Sequence, residues 1–123
     1  MIELFKQLNF ITKGNNMLFE KIEKAWEDKD AKAHRALFHD DHEFISHVQN
    51  KTFKKSEGSE EQTQEMLDNI TREKVRCVYE NDDILITHTF NTFKSGDRES
   101  LMVVSLKKDG LIWRTETGAT ELK

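Results

Sequence analysis

The stretch from Glu80 to Thr117 constrains this chain more than any other. It reads as three consecutive strands, ENDDILITHTFNTF, RESLMVVSLKKDG and LIWRTETGAT. Turn signals at Ser95-Gly96-Asp97 and Lys108-Asp109-Gly110 separate them. Between the turns, β-branched and aromatic residues dominate, as a pleated, half-buried surface requires. The sequence contains no proline, so its turns must be made by Gly, Asn, Asp or Ser. A three-strand meander exposes an apolar face, and the preceding segments must cover it.

Those segments read mainly as helices. Residues 2–10 carry apolar positions at Ile2, Leu4, Phe5 and Leu8, consistent with an N-terminal arm or short helix over residues 1–15. Asn16 is a candidate N-cap for a helix over 17–27. Its residues Leu18, Ile22, Ala25 and Trp26 fall on one face at helical spacing. Asp30 can cap a short second helix through Ala33, Ala36 and Leu37. His39-Asp40-Asp41-His42 is read as the end of that helix, leading into a strand over Glu43–Gln49. A short return strand follows at 52–55. Ser59-Glu60-Glu61-Gln62 has the pattern of a capping box and opens a third helix with Thr63, Met66, Leu67 and Ile70 inward. A strand over 74–80 then precedes the meander. Helices beside antiparallel strands make an α+β layer architecture within a single domain spanning 1–123. Three short helices cannot fill the concave face of a twisted sheet of this size, so a hollow is expected, and apolar hollows with a few polar groups hold small ligands.

Charge narrows the function classes. The net charge is −4, and the 19 basic residues are spread among 23 acidic ones, without the one-sided basic density that nucleic acid needs. No apolar run approaches a membrane span of ~20 residues. MIELFKQLNF, with its glutamate and interrupted apolar pattern, is a poor signal peptide. Cys77 is the sole cysteine, which precludes an internal disulfide and fits a cytoplasmic location.

The string AWEDKDAKAHRALFHDDHEFISH resembles the opening of the nuclear transport factor 2-like superfamily, in its SnoaL-like branch. The turn and helix over Ser56–Ile70, the turn Asn81-Asp82-Asp83 and the closing Asp109-Gly110-Leu111-Ile112-Trp113 are similar to later parts of that family's pattern. The resemblance covers roughly residues 16–120. It implies a cone-shaped curved sheet covered by three helices (a cystatin-like roll), an inner cavity, and dimerisation through the outer sheet face. It also implies a choice among isomerases, cyclases, dehydratases and transport factors, which the fold alone does not make. The family's ketosteroid isomerase places an aspartate base near Ser46, an oxyanion-hole tyrosine near Ile22 and a protonated aspartate near Val103. None of those groups is present here, so that mechanism is not expected.

His47 and His88 stand out as candidate catalytic residues, because each interrupts a strand where imidazole is an unusual packing choice. A hydrogen-bonded histidine on a sheet edge or dimer face is the alternative. Arg114 is the candidate anchor for an anionic or hydroxylated ligand, and its ordinary alternative is a surface ion pair with Glu116. Trp113 has the opposite parity, so only one of the two is expected to point inward. Trp26, Phe44, Ser46, Met66 and Phe90 are candidate ligand-binding residues. The cluster His34, His39, Asp40, Asp41, His42 and Glu43 is dense in potential metal ligands, but a solvated helix terminus accounts for it, and no metal or other cofactor is expected. Apolar residues on both faces of the strand around Met102 and Val103 call for a second copy to cover the face without helices. The expected function is binding of a small apolar or mixed-polarity ligand in the cone, extending to cofactor-independent isomerase, lyase or cyclase chemistry. A non-catalytic binding or accessory module is the alternative.

Overall fold

The structure, a computed structural model, describes residues 17–123. The arm over 1–15 and the Asn16 cap lie outside the described residues. Helices α1 (Phe19–Asp28) and α2 (Ala31–Arg35) lead into β1 (Phe38–Ser46) and β2 (Lys51–Lys54). A single 3-10 turn, Lys55–Glu57, precedes α3 (Glu60–Asn69). Four strands follow: β3 (Thr71–Glu80), β4 (Ile84–Thr92), β5 (Arg98–Lys108) and β6 (Leu111–Leu122). The six strands form one curved sheet in the order β2-β1-β6-β5-β4-β3. This is the expected α+β cone, with three helices against the sheet.

Local chemistry explains the elements. Asp30 Oδ1 accepts the Ala33 amide at 3.0 Å and starts α2. Ser59 Oγ accepts the Gln62 amide while Gln62 Oε1 accepts the Ser59 amide, closing the capping box on α3. Asp109 and Gly110 both take positive φ, the conformation of a tight two-residue hairpin, and join β5 to β6. Asn81 Oδ1 accepts the amides of Asp83 and Ile84, which turns the chain into β4.

Three features depart from the sequence reading. β1 begins at Phe38, so His39-Asp40-Asp41-His42 is strand rather than helix end. The reason is a partner: β1 pairs in parallel with β6, and Leu37 O accepts the Ile112 amide at 3.0 Å. The sheet is therefore mixed, with its one parallel ladder at β1–β6. Register shifts between Phe38 and Glu43, within β3, and between Leu106 and Lys107 bend it towards the helices.

A buried ion pair fixes α1 to the sheet. Lys107 Nζ lies 2.6 Å from Glu80 Oε2, with both side chains shielded from solvent. Glu80 also accepts the Leu18 and Phe19 amides at 2.6 and 3.2 Å, so a strand carboxylate caps the helix. Leu18, Leu85 and Ile112 form the core there, with Phe19, Ile22 and Leu37 packed against them. Among the described residues, no helix is long and apolar enough to cross a membrane.

Candidate functional site

Between the helices and the concave face of the sheet lies a cavity of about 470 Å³. Its floor is supplied by alternate residues of four strands. Phe38, His42 and Phe44 point in from β1, Leu85 and Thr87 from β4, and Val103 and Ser105 from β5. On β6 the inward residues are Ile112 and Thr115, an odd step made possible by the bulge beside them. The helices add Ile22, Trp26, His34 and Met66. Exposed lining residues, Phe53, Lys54, Gly58 and Gln62, mark the opening beside the 3-10 turn.

Two imidazoles sit in this wall. His42 Nε2 lies 2.8 Å from Thr115 Oγ1, and the pair is buried. His34 stacks against Phe38 at 4.9 Å between ring centroids and meets Trp26 edge-on at 6.0 Å. No hydrogen bond among the described residues uses a ring nitrogen of His34. Burial, followed by the charges of Arg72, His42 and Arg35, lowers the His34 pKa to about 4. Burial and then Lys55 lower that of His42 to about 4. Both rings are therefore neutral at pH 7, each with one nitrogen to donate and one to accept.

Arg72, on β3, completes one side. Its guanidinium grips Glu23 with two bonds of 2.9 and 3.2 Å and lies 4.4 Å from the Trp26 ring centroid. That fork holds the indole against α1 while neutralising the carboxylate.

Trp26, Phe44 and Met66 line the cavity. The other candidates do not, and strand parity explains most of the differences. His47 lies just past the end of β1, in the turn; its ring is 61% exposed and Nε2 sits 3.1 Å from Glu116 Oε1. That contact is the largest cause lowering the Glu116 pKa. Thr87 points inward, so His88 and Phe90 fall on the outer face. There His88 Nε2 lies 2.7 Å from Ser100 Oγ and its ring meets Phe90 edge-on at 4.9 Å. Arg114 lies near Glu43 and Glu116, at 4.0 and 3.5 Å, and not in the cavity. Trp113 does not line it either, because the bulge gives the inward places to Ile112 and Thr115. Ser46 is buried at the end of β1, where its hydroxyl accepts the Gln49 amide. His47 and His88 thus form no acid–base pair.

In the sequence, His34 and His42 belong to the cluster of potential metal ligands attributed to a solvated helix terminus, and not to the cavity candidates. The signal was present: His42 shares the parity of Phe44, and His34 follows Ala31 by three residues on the buried side of α2. His39 separates from them, with Nε2 3.8 Å from Asp109 and Nδ1 accepting the Asp41 amide. Burial, with Glu80 second, raises the Cys77 pKa to about 11, so the thiol is not an activated nucleophile.

No family model and no curated protein matches the chain. Solved structures do. A nuclear transport factor 2-like protein of unknown function from Cytophaga hutchinsonii is 12% identical, with a TM-score of 0.65 over 84% of this chain and 87% of that one. Another from Burkholderia xenovorans is 13% identical, with a TM-score of 0.64 over 89% and 91% of the two chains. A Catenulispora acidiphila protein with a ketosteroid isomerase-like fold, solved in complex with trimethylamine, is 14% identical, with a TM-score of 0.61 over 85% of each chain. Likeness at such identity speaks to architecture, not to chemistry. The chain has the nuclear transport factor 2-like α+β cone fold.

Proposed function

We propose that the protein binds a small, mostly apolar organic molecule inside the cone. One observation carries this reading: a cavity of about 470 Å³ presents aromatic walls together with the neutral imidazoles of His34 and His42. A water-filled apolar hollow gains free energy when a ligand of matching shape displaces its water. The two imidazoles and the hydroxyls of Thr87, Ser105 and Thr115 supply orienting groups. The likeness to ketosteroid isomerase-like folds is consistent with such a use, and the string around Leu37-Phe38 supports the SnoaL-like branch within it.

Proton transfer is the second reading, favoured by the same imidazoles. A histidine kept neutral in a dry wall is ready to take a proton from a bound carbon or oxygen acid without first losing one to water. With a pKa near 4 it is a weak base, so the substrate would have to be an activated acid, such as a carbon flanked by carbonyl groups. On this reading, isomerase, lyase or cyclase chemistry would use His34 and His42, which line the cavity, and not His47 and His88, which do not.

Occlusion tests the binding reading. Met66 lines the cavity from α3, so Met66→Trp fills the space from one side. Native mass spectrometry of the purified protein should show a co-purifying small molecule, or uptake from a metabolite mixture, that the variant loses. Equal occupancy in both proteins would place the ligand elsewhere.

A further inference from the structure

The charges lining the cavity are unbalanced. Its cations are Arg35, Lys54, Lys55 and Arg72, whereas its carboxylate is Glu23. Arg72 and Glu23 satisfy one another through their two bonds, which leaves Arg35, Lys54 and Lys55 without a carboxylate partner among the lining residues. The guanidinium of Arg35 is held in place entirely by neutral acceptors. Nη1 donates to Ser59 O and Thr63 Oγ1 at 3.3 and 3.2 Å, and Nη2 donates to Lys55 O at 3.3 Å. Lys55 Nζ donates to Phe38 O at 2.8 Å, and its carboxylate neighbour, Asp40 at 3.5 Å, is almost wholly in water. Glu57, Glu60 and Glu61 stand in the same segment but do not line the cavity. A protein of net charge −4 thus has a positive rim on this apolar hollow. The imidazoles register the same field, since Arg72 and Arg35 act on His34 and Lys55 acts on His42.

We propose that the cone selects an organic anion, a carboxylate-bearing molecule with an apolar or aromatic body, and that Arg35, Lys54 and Lys55 seat the carboxylate at the rim. The proposal rests on the reading of the cone as a ligand site and adds the ligand's charge. Arg35 is prepared for it: two backbone carbonyls and a hydroxyl fix the planar fork, so little side-chain entropy remains to be lost on binding. The apolar body then occupies the space bounded by Phe38, Phe44 and Met66, where an exposed aromatic surface gains most from leaving water. Positive potential at the opening would also draw anions in and repel amines.

Three probes that share a naphthylmethyl body separate charge from shape: 1-naphthylacetate, its isostere 1-naphthylacetamide, and the shorter cation 1-naphthylmethylamine. Titration calorimetry at low salt should show the acetate binding about tenfold tighter than the amide, and the amine weakest. Raising the salt to about 0.5 M should reduce the acetate preference several-fold and leave the amide unchanged. The Arg35→Gln/Lys55→Gln double variant should bring acetate and amide to within about twofold of one another. Because that variant also loses bonds holding the 3-10 turn, Lys54→Glu provides a second test at an exposed position, with an expected loss of about threefold for the acetate alone. Equal binding of acetate and amide, tighter binding of the amine, or a preference surviving both variants would overturn the charge proposal while leaving the cone a ligand site. Failure of all three probes to bind would overturn both readings.

Discussion

Burial keeps His34 and His42 neutral, and the consequence is a dependence of stability on pH with a definite sign. An unfolded histidine takes up a proton near pH 6.5, whereas these two resist until about pH 4. Between those values the unfolded chain holds more protons, so stability is complete above pH 6.5, falls through the window, and stops falling from this cause below about pH 4. For each of the two the full effect is on the order of 3 kcal/mol. Denaturant melts from about pH 7 to 4.5 should show this slope in the parent protein and a flatter one in His34→Gln. Identical slopes would mean that the ring is already protonated in the folded state. At this scale the sequence was partly legible. Trp26, Phe44 and Met66 could be placed from periodicity because each lies on a plainly amphipathic element. His47 does not share a wall with Phe44, because β1 ends at Ser46 and the chain turns there. What hid His42 was the string His39-Asp40-Asp41-His42, which resembles a helix terminus until its parallel partner on β6 is known.

Elements were the more readable level. The caps at Asp30 and Ser59 and the turn at Asp109-Gly110 could be recognised because each is a local contest between a side chain and the backbone, settled within four residues. The start of β1 and the bulge beside Trp113 were not, because both depend on a strand distant in sequence. The same holds for the start of α1, which Glu80 caps from across the fold. That carboxylate and Lys107 form the joint between helix and sheet, and their contribution can be separated by mutation. Lys107→Met leaves a buried carboxylate without its cation and should destabilise the protein by about 3–5 kcal/mol. Adding Glu80→Gln should restore part of the loss, because the stranded charge disappears. Urea unfolding of the parent, single and double variants measures this directly. A single variant within about 1 kcal/mol of the parent would show that the pair does not anchor α1.

For the whole molecule, the meander and the helices before it were enough to anticipate a curved α+β sheet with a hollow, since twist and the number of covering helices determine that outcome together. They were not enough to place each polar residue inside or outside the hollow, which bulges decide. The outer face carries Tyr79 and Met102, 45% and 40% exposed, beside Ile86 and Val104. We propose that a second copy of the chain covers it, because an apolar sheet face left in water favours association. Sedimentation at micromolar concentration should give a dimer, and Met102→Lys a monomer that retains its fold. A monomeric parent protein would contradict this.

The central claim is that the cone admits a small molecule, and Trp26 can report on it from inside. The protein has two tryptophans, and Trp113 does not line the cavity, so Trp113→Phe leaves Trp26 as the sole indole emitter. Titrating that variant with cyclohexylacetate, which neither absorbs nor emits in the indole range, should change the Trp26 emission along a saturable curve, and Met66→Trp/Trp26→Phe/Trp113→Phe, its cavity filled, should lose that saturable response. Trp26 emission that stays unchanged, or that declines only linearly as for a collisional quencher in bulk water, would show that nothing enters the cone.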